Sequence, residues 1–160
     1  MIAATRVVAT PAAVANVLLN VEPMKDALPA LVRADVIATR PGPRPGAWPD
    51  RLLAWEVEIP LFNLSGRAWL RQHEDGAELT LTEGAFAPGR VRFRAARAAA
   101  RRDTIVTCEV QIEPRSAGWL FRRVAGHDPW SEVAVSAATS WVLLRAVAQQ
   151  AEAAPGTRAA

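Results

Sequence analysis

From residue 51 onward, hydrophobic and polar residues alternate with a period of two. Leu53, Trp55, Val57 and Ile59 take one side and Ala54, Glu56 and Glu58 the other, the pattern of a strand with one buried face. Pro60 breaks the run. Phe62, Leu64, Gly66, Ala68 and Leu70 then alternate with Arg67, Trp69, Arg71 and His73, and the Asp75-Gly76 pair predicts a tight hairpin into a strand over 78–83. A turn over 84–89, a strand over 90–97, a turn at 101–103 and a strand over 104–113 follow, the last with Val106, Cys108, Val110 and Ile112 on one face. Pro114 ends the alternation, and a short apolar segment over 117–125 leads to the break at Gly126. The period then becomes helical: Asp128 as N-cap and Pro129 at the first position open a long helix over 128–151. On that helix Trp130, Val133, Ala134, Ala137, Trp141, Leu144 and Ala148 form one stripe, rich in alanine and so leaving room beside it. Ahead of the alternating block the pattern predicts a strand over 2–9, a helix over 11–20 capped by Thr10 with Pro11 behind it, a second helix over 23–28 stopped by Pro29, and a strand over 30–40. The stretch PGPRPGAWPD reads as an extended loop.

Composition adds bounds to this picture. With 160 residues, 51% of them hydrophobic and 22% charged, the chain is expected to form one globular domain over 1–153, with 154–160 a disordered tail. A net charge of +3 does not imply general affinity for nucleic acid. Cys108 is the single cysteine, which rules out an internal disulfide framework and a cysteine metal cluster, and fits a reducing compartment; cytoplasm is the expected location. Pro11 and Asn16 interrupt the apolar N-terminal stretch, so it is not expected to be a secretory leader. No stretch reaches the roughly 18–20 uninterrupted apolar residues of a membrane span.

The order of elements, a strand, two short helices, six antiparallel strands and a long last helix, resembles the START-like helix-grip superfamily of Bet v 1 proteins, polyketide cyclases and coenzyme Q-binding proteins. TPAAVANVLLNVEPMKDALPALVRADVI is similar to that superfamily's entry, and EGAFAPGRVRFRAARAAARRDTIVTCEVQIEP to its final hairpins. The resemblance implies an α+β helix-grip fold, a seven-stranded curved antiparallel sheet wrapped around the C-terminal helix, with two short helices after the first strand. It also implies an elongated apolar cavity between sheet and helix. On the sheet side its expected walls are Trp55, Val57 and Ile59, then Leu64 and Leu70, then Leu79, Leu81, Phe93 and Val110. Trp130, Ala134, Ala137 and Trp141 would face them from the helix. Leu61, Phe62, Phe86, Trp119 and Phe121 would gather at one end as the cavity mouth. With Arg122 and Arg123 behind it, such a mouth suits transient contact with a membrane surface; the same residues could equally plug the barrel end.

No catalytic set is recognisable. His73 and His127 lack a partner at metal-ligand spacing, and no GxSxG, P-loop or GxGxxG motif occurs, so neither a metal nor a cofactor is expected. Cys108 sits between inward-facing valines and reads as core. Glu83 shares the side of Leu79 and Leu81: buried, it would orient a ligand or act as general base, whereas at a strand end it reaches solvent. Arg90, Arg92, Arg94, Arg97, Arg101 and Arg102 form one basic run. Its outward members face Glu109 and Glu113 of the next strand, so cross-strand pairing competes with an anionic partner, and no exposed aromatics interleave to favour nucleic acid. Three functions follow in order of support. The first is non-catalytic binding or transfer of a lipid, quinone, sterol or polyketide; the second is a polyketide cyclase or dehydratase using the same cavity; the third is a surface interaction module built on the arginine strand. Neither the ligand nor an oligomeric state can be read from the sequence.

Overall fold

Local signals act where the sequence puts them. Ala13 N–H donates to Thr10 Oγ1 (3.2 Å), capping the first helix, and Asn20 N–H closes its other end on Asn16 O (3.1 Å). The computed structural model describes residues 1–59, 62–98, 103–112, 123 and 129–154. In chain order these form β1 (Ile2–Val7), α1 (Pro11–Leu19), α2 (Val21–Ala27), β2 (Leu31–Arg40), β3 (Asp50–Ile59), β4 (Phe62–His73), β5 (Gly76–Gly84), β6 (Gly89–Arg97), β7 (Thr104–Gln111) and α3 (Pro129–Ala153). The strands make one seven-stranded antiparallel sheet, ordered β1-β7-β6-β5-β4-β3-β2. β1 and β2 are therefore its two edges, and α1 and α2 carry the chain from one to the other. All other neighbours in the sheet from β2 to β7 are consecutive in sequence, which is why short turn signals were enough to predict the order.

The C-terminal half of α3 packs against β1, β7, α1 and α2. Leu144, Val147 and Ala151 enter a core with Val7, Val14, Val17, Leu70, Phe93, Val106 and Val110. The buried stripe of this helix differs from the expected one. It runs through Ser136, Ser140, Leu144, Val147 and Ala151, while Ala134 is exposed and Trp141 is 58% exposed. The reason lies in two serines: Ser140 Oγ donates to Ser136 O at 2.7 Å, so its hydroxyl is satisfied inside the helix and the residue packs as a small side chain. A stripe weighted by apolar residues turns away from such positions.

Cys108 is fully buried, and burial pushes its thiol up to about 12, with the chain's amino terminus acting weakly the other way. In the folded protein it is expected to stay unmodified by a charged disulfide reagent at pH 8 and to react fully only in denaturant. Stoichiometric labelling under native conditions would contradict its placement in the core.

Candidate ligand site on the inner face of the sheet

The sheet register sorts every strand residue to an inner or an outer face. Directly opposed residues share a face, so Trp55, Gly66 and Gly84 make one inner row, Leu53, Ala68 and Leu81 the next, and Arg51, Leu70, Leu79, Val91 and Val110 the third. Of the expected wall residues, Leu64, Leu70, Leu81, Phe93 and Val110 are buried. Trp55, Val57 and Leu79 are only half-buried although they point inward. The opposing helix behaves the same way. Val133 lies seven residues before Ser140 and eleven before Leu144, on the stripe that faces the core, yet it is 45% exposed. Ala137, on the flank of that stripe, is half-buried. Among its described side chains the helix is thus closely covered on its core-facing stripe from Ser136 onward and open at Val133. The uncovered Val133 position and the half-buried inner-face residues of β3 to β5 define the candidate site.

Several expected positions fall outside what is described. Leu61, Trp119 and Phe121 of the expected mouth lie outside the described residues, as do Arg122 and His127. Ile59, Phe62 and Trp130 are placed in their elements without a description of their side chains. Phe86 is half-buried, with φ of 68°, in the turn between β5 and β6.

Glu83 is not on the inner face. The pairing of β4 with β5 shifts between Arg67 and Ala68, so Thr82 is accommodated as a bulge and Glu83 pairs with Arg67 rather than continuing the row of Leu79 and Leu81. Its side chain is 61% exposed and forms an ion pair with Arg67 Nη1 at 3.1 Å. A strict period of two cannot foresee the extra residue. The inner face carries a cation the sequence reading passed over: Arg51 shares parity with Leu53 and Trp55, and its Nη1 donates to Leu19 O, the C-terminal end of α1, at 3.2 Å. Parity alone was the signal that could have found it. Trp55 Nε1 is buried without a hydrogen-bond partner among the described residues.

Of the arginine run, Arg90, Arg92 and Arg94 are on the outer face, Arg97 has the inner parity at the exposed end of β6, and Arg101 and Arg102 lie outside the described residues. Arg94 approaches Asp75 (3.6 Å), Arg90 Nη2 donates to Gln111 Oε1 (3.0 Å), and Arg92 stands in register between Glu78 and Glu109. Glu113 lies outside the described residues. A separate depression of about 440 Å³ is formed by the loop from Pro41 to Pro49 alone and shares no residue with the inner face. Among the described residues no group of three His, Cys, Asp or Glu could hold a metal ion, and no helix is long and apolar enough to cross a membrane.

No protein-family model matches the chain, and no curated protein matches it. Solved structures do. The protein TTHA0849 from Thermus thermophilus superposes with a TM-score of 0.68 at 15% identity, covering 98% of this chain and 99% of that one. The Zhui aromatase/cyclase from Streptomyces sp. R1128 gives 0.64 at 17% identity, over 95% and 92% of the two chains. A START superfamily protein from Mycobacterium smegmatis gives 0.59 at 16% identity, over 94% and 97%. The chain has the START-like helix-grip fold. At these identities the likeness speaks for fold alone, and a fold does not by itself set function. Function must be argued from side chains on the inner face, and among the described residues of β3 to β6 those are apolar apart from Arg51, Gln72, the Trp55 indole N–H and the exposed Arg97 at the end of β6.

Proposed function

We propose that the protein binds a hydrophobic small molecule, of the lipid, quinone, sterol or polyketide kind, between the inner face of β3 to β5 and the N-terminal half of α3. The observation that carries this reading is the loss of cover at Val133, on the very stripe that is packed tight from Ser136 onward. On the inner face of the sheet Trp55, Val57 and Leu79 are likewise only half-buried. Each ligand methylene transferred from water to such walls contributes on the order of 0.8 kcal/mol, so a ligand of a dozen carbons needs few polar contacts. The aromatase/cyclases among the neighbours, Zhui and the di-domain StfQ and BexL, keep the cyclase reading in view. Binding is favoured over it because Glu83, the candidate base, is outside and ion-paired, and no carboxylate or histidine stands on the inner rows of β3 to β7 among the described residues.

Native mass spectrometry of the purified protein, followed by organic extraction, is expected to release a near-stoichiometric apolar molecule. Ala137→Trp fills the space beside the open half of the helix and is expected to lower uptake of an apolar fluorescent probe at least tenfold with the fold intact. Unchanged uptake in that variant would remove the site from this location.

A further inference from the structure

Building on that reading, we infer that the ligand carries a hydrogen-bond acceptor oxygen and presents it to Trp55 Nε1 across a notch of bare backbone formed by Gly66 and Gly84. The register places Trp55, Gly66 and Gly84 side by side on the inner face of β3, β4 and β5. The indole lies over the first glycine: a Cβ built on Gly66 would meet Trp55 Cζ2 at 2.8 Å and Cε2 at 3.1 Å, besides striking Glu83 O. Cε2 is bonded to Nε1, so the N–H edge is the part of the ring that overhangs β4. Beyond it Gly84, at φ +84°, adds no side chain, and a Cβ there would strike Ser65 O and come within 2.5 Å of Gly66 Cα. Both positions therefore exclude any larger residue, so neither β4 nor β5 puts a side chain beside the indole in this row. Gly84 is exposed and Gly66 half-buried, so this notch is reached from outside.

The N–H at its rim is shielded from water and has no partner among the described residues. An indole N–H is a donor only, and leaving one buried and unpaired carries a cost that an incoming acceptor removes. Because the donor is already desolvated in the free protein, an oxygen that reaches it gains the bond without competing against water for that donor. A flat apolar molecule with a carbonyl oxygen at its edge matches all three features: a ring-sized platform, a floor without side chains and one lone donor.

9-Fluorenone and fluorene are both flat, differ in a carbonyl oxygen and are closely matched in apolar surface, which makes them the probe pair. The ketone is expected to bind about fivefold more tightly by calorimetry, the ratio that one net hydrogen bond supplies. In ¹H–¹⁵N spectra it should move the Trp55 Hε1 resonance, assigned by its loss in Trp55→Phe, downfield, while fluorene should not. Trp55→Phe keeps an aromatic ring on the glycine floor and is expected to bring the two affinities together. If both compounds bind equally and Hε1 stays in place, the donor role is wrong while the hydrophobic site stands. If neither binds and Ala137→Trp changes nothing for any apolar probe, the site itself is wrong and the inference falls with it.

Discussion

Truncating Leu144 to alanine is expected to lower the free energy of unfolding by about 3 kcal/mol and the melting temperature by roughly 6–12 °C. Leu144 has no exposed surface and is the largest fully buried side chain described. It stands in one cluster with Val7 of β1, Val14 and Val17 of α1, and Val106 and Val110 of β7. Those elements are fixed by separate parts of the chain, so no single backbone shift can close the space that three lost carbons leave. The penalty then includes both the forfeited transfer energy and the residual cavity. Denaturant unfolding followed by far-UV dichroism measures it. A loss below about 1 kcal/mol would mean that the C-terminal half of α3 is not docked on β1, β7 and α1 as described, since buried Leu→Ala changes rarely cost so little.

The same substitution separates stability from binding. α3 is divided: from Ser136 onward its core-facing stripe is buried, and at Val133 it is open. Leu144 belongs to the closed half and Ala137 borders the open one. Leu144→Ala should therefore leave probe affinity within about twofold at a temperature where the variant is folded, and Ala137→Trp should do the reverse.

The fold was legible because its information is local. Period-two alternation, the Asp75-Gly76 turn, the Thr10-Pro11 start of α1 and Pro129 at the start of α3 each act within a few residues. An all-antiparallel sheet with consecutive neighbours needs little more. The site was legible only in part. Trp55, Val57 and Leu79 follow from parity, but the bulge at Thr82 reverses Glu83, and one inserted residue leaves no trace in composition. The rotation of α3 was hidden because Ser136 and Ser140 count as polar in the sequence and pack as small core residues in the structure. The Gly66–Gly84 notch depends on which residues face one another across two strands. That pairing is set by register and not by either segment alone.

Asp50 is the clearest case of a long-range partner the pattern could not supply, and it leads to the second large effect. In the sequence it closes a loop of prolines and glycines. In the structure it begins β3 on the outer face, only 1% exposed, and accepts from Arg71 Nε (3.0 Å) and Nη2 (2.9 Å) of β4 and from Arg40 Nε (3.0 Å) of β2. Arg40 in turn lies 3.9 Å over the Trp69 ring. One carboxylate thus ties both ends of the 41–49 loop to the third strand. Asp50→Asn keeps the shape but cannot accept two charged donors on two anionic oxygens, and it leaves two guanidinium groups facing each other. Both arginines are more than a third exposed and can turn towards water, so the cost at pH 7 should be about 2–3 kcal/mol, below that of a fully buried pair. The effect carries a pH signature. The hydrogen bonds from Arg71, then those from Arg40, hold the Asp50 carboxyl below its ordinary value against the opposing effect of burial. A carboxylate depressed in the folded state contributes its full stability above its unfolded value of about 3.9, and that contribution disappears as the pH falls through the folded value. The gap between wild type and Asp50→Asn should therefore be widest and constant from about pH 5 to 7, then close progressively below about pH 4. Urea titrations at pH 7, 4 and 3 test this directly. A gap that stays the same at all three would show that the loss comes from altered packing at the start of β3 and not from the ion pairs with Arg71 and Arg40.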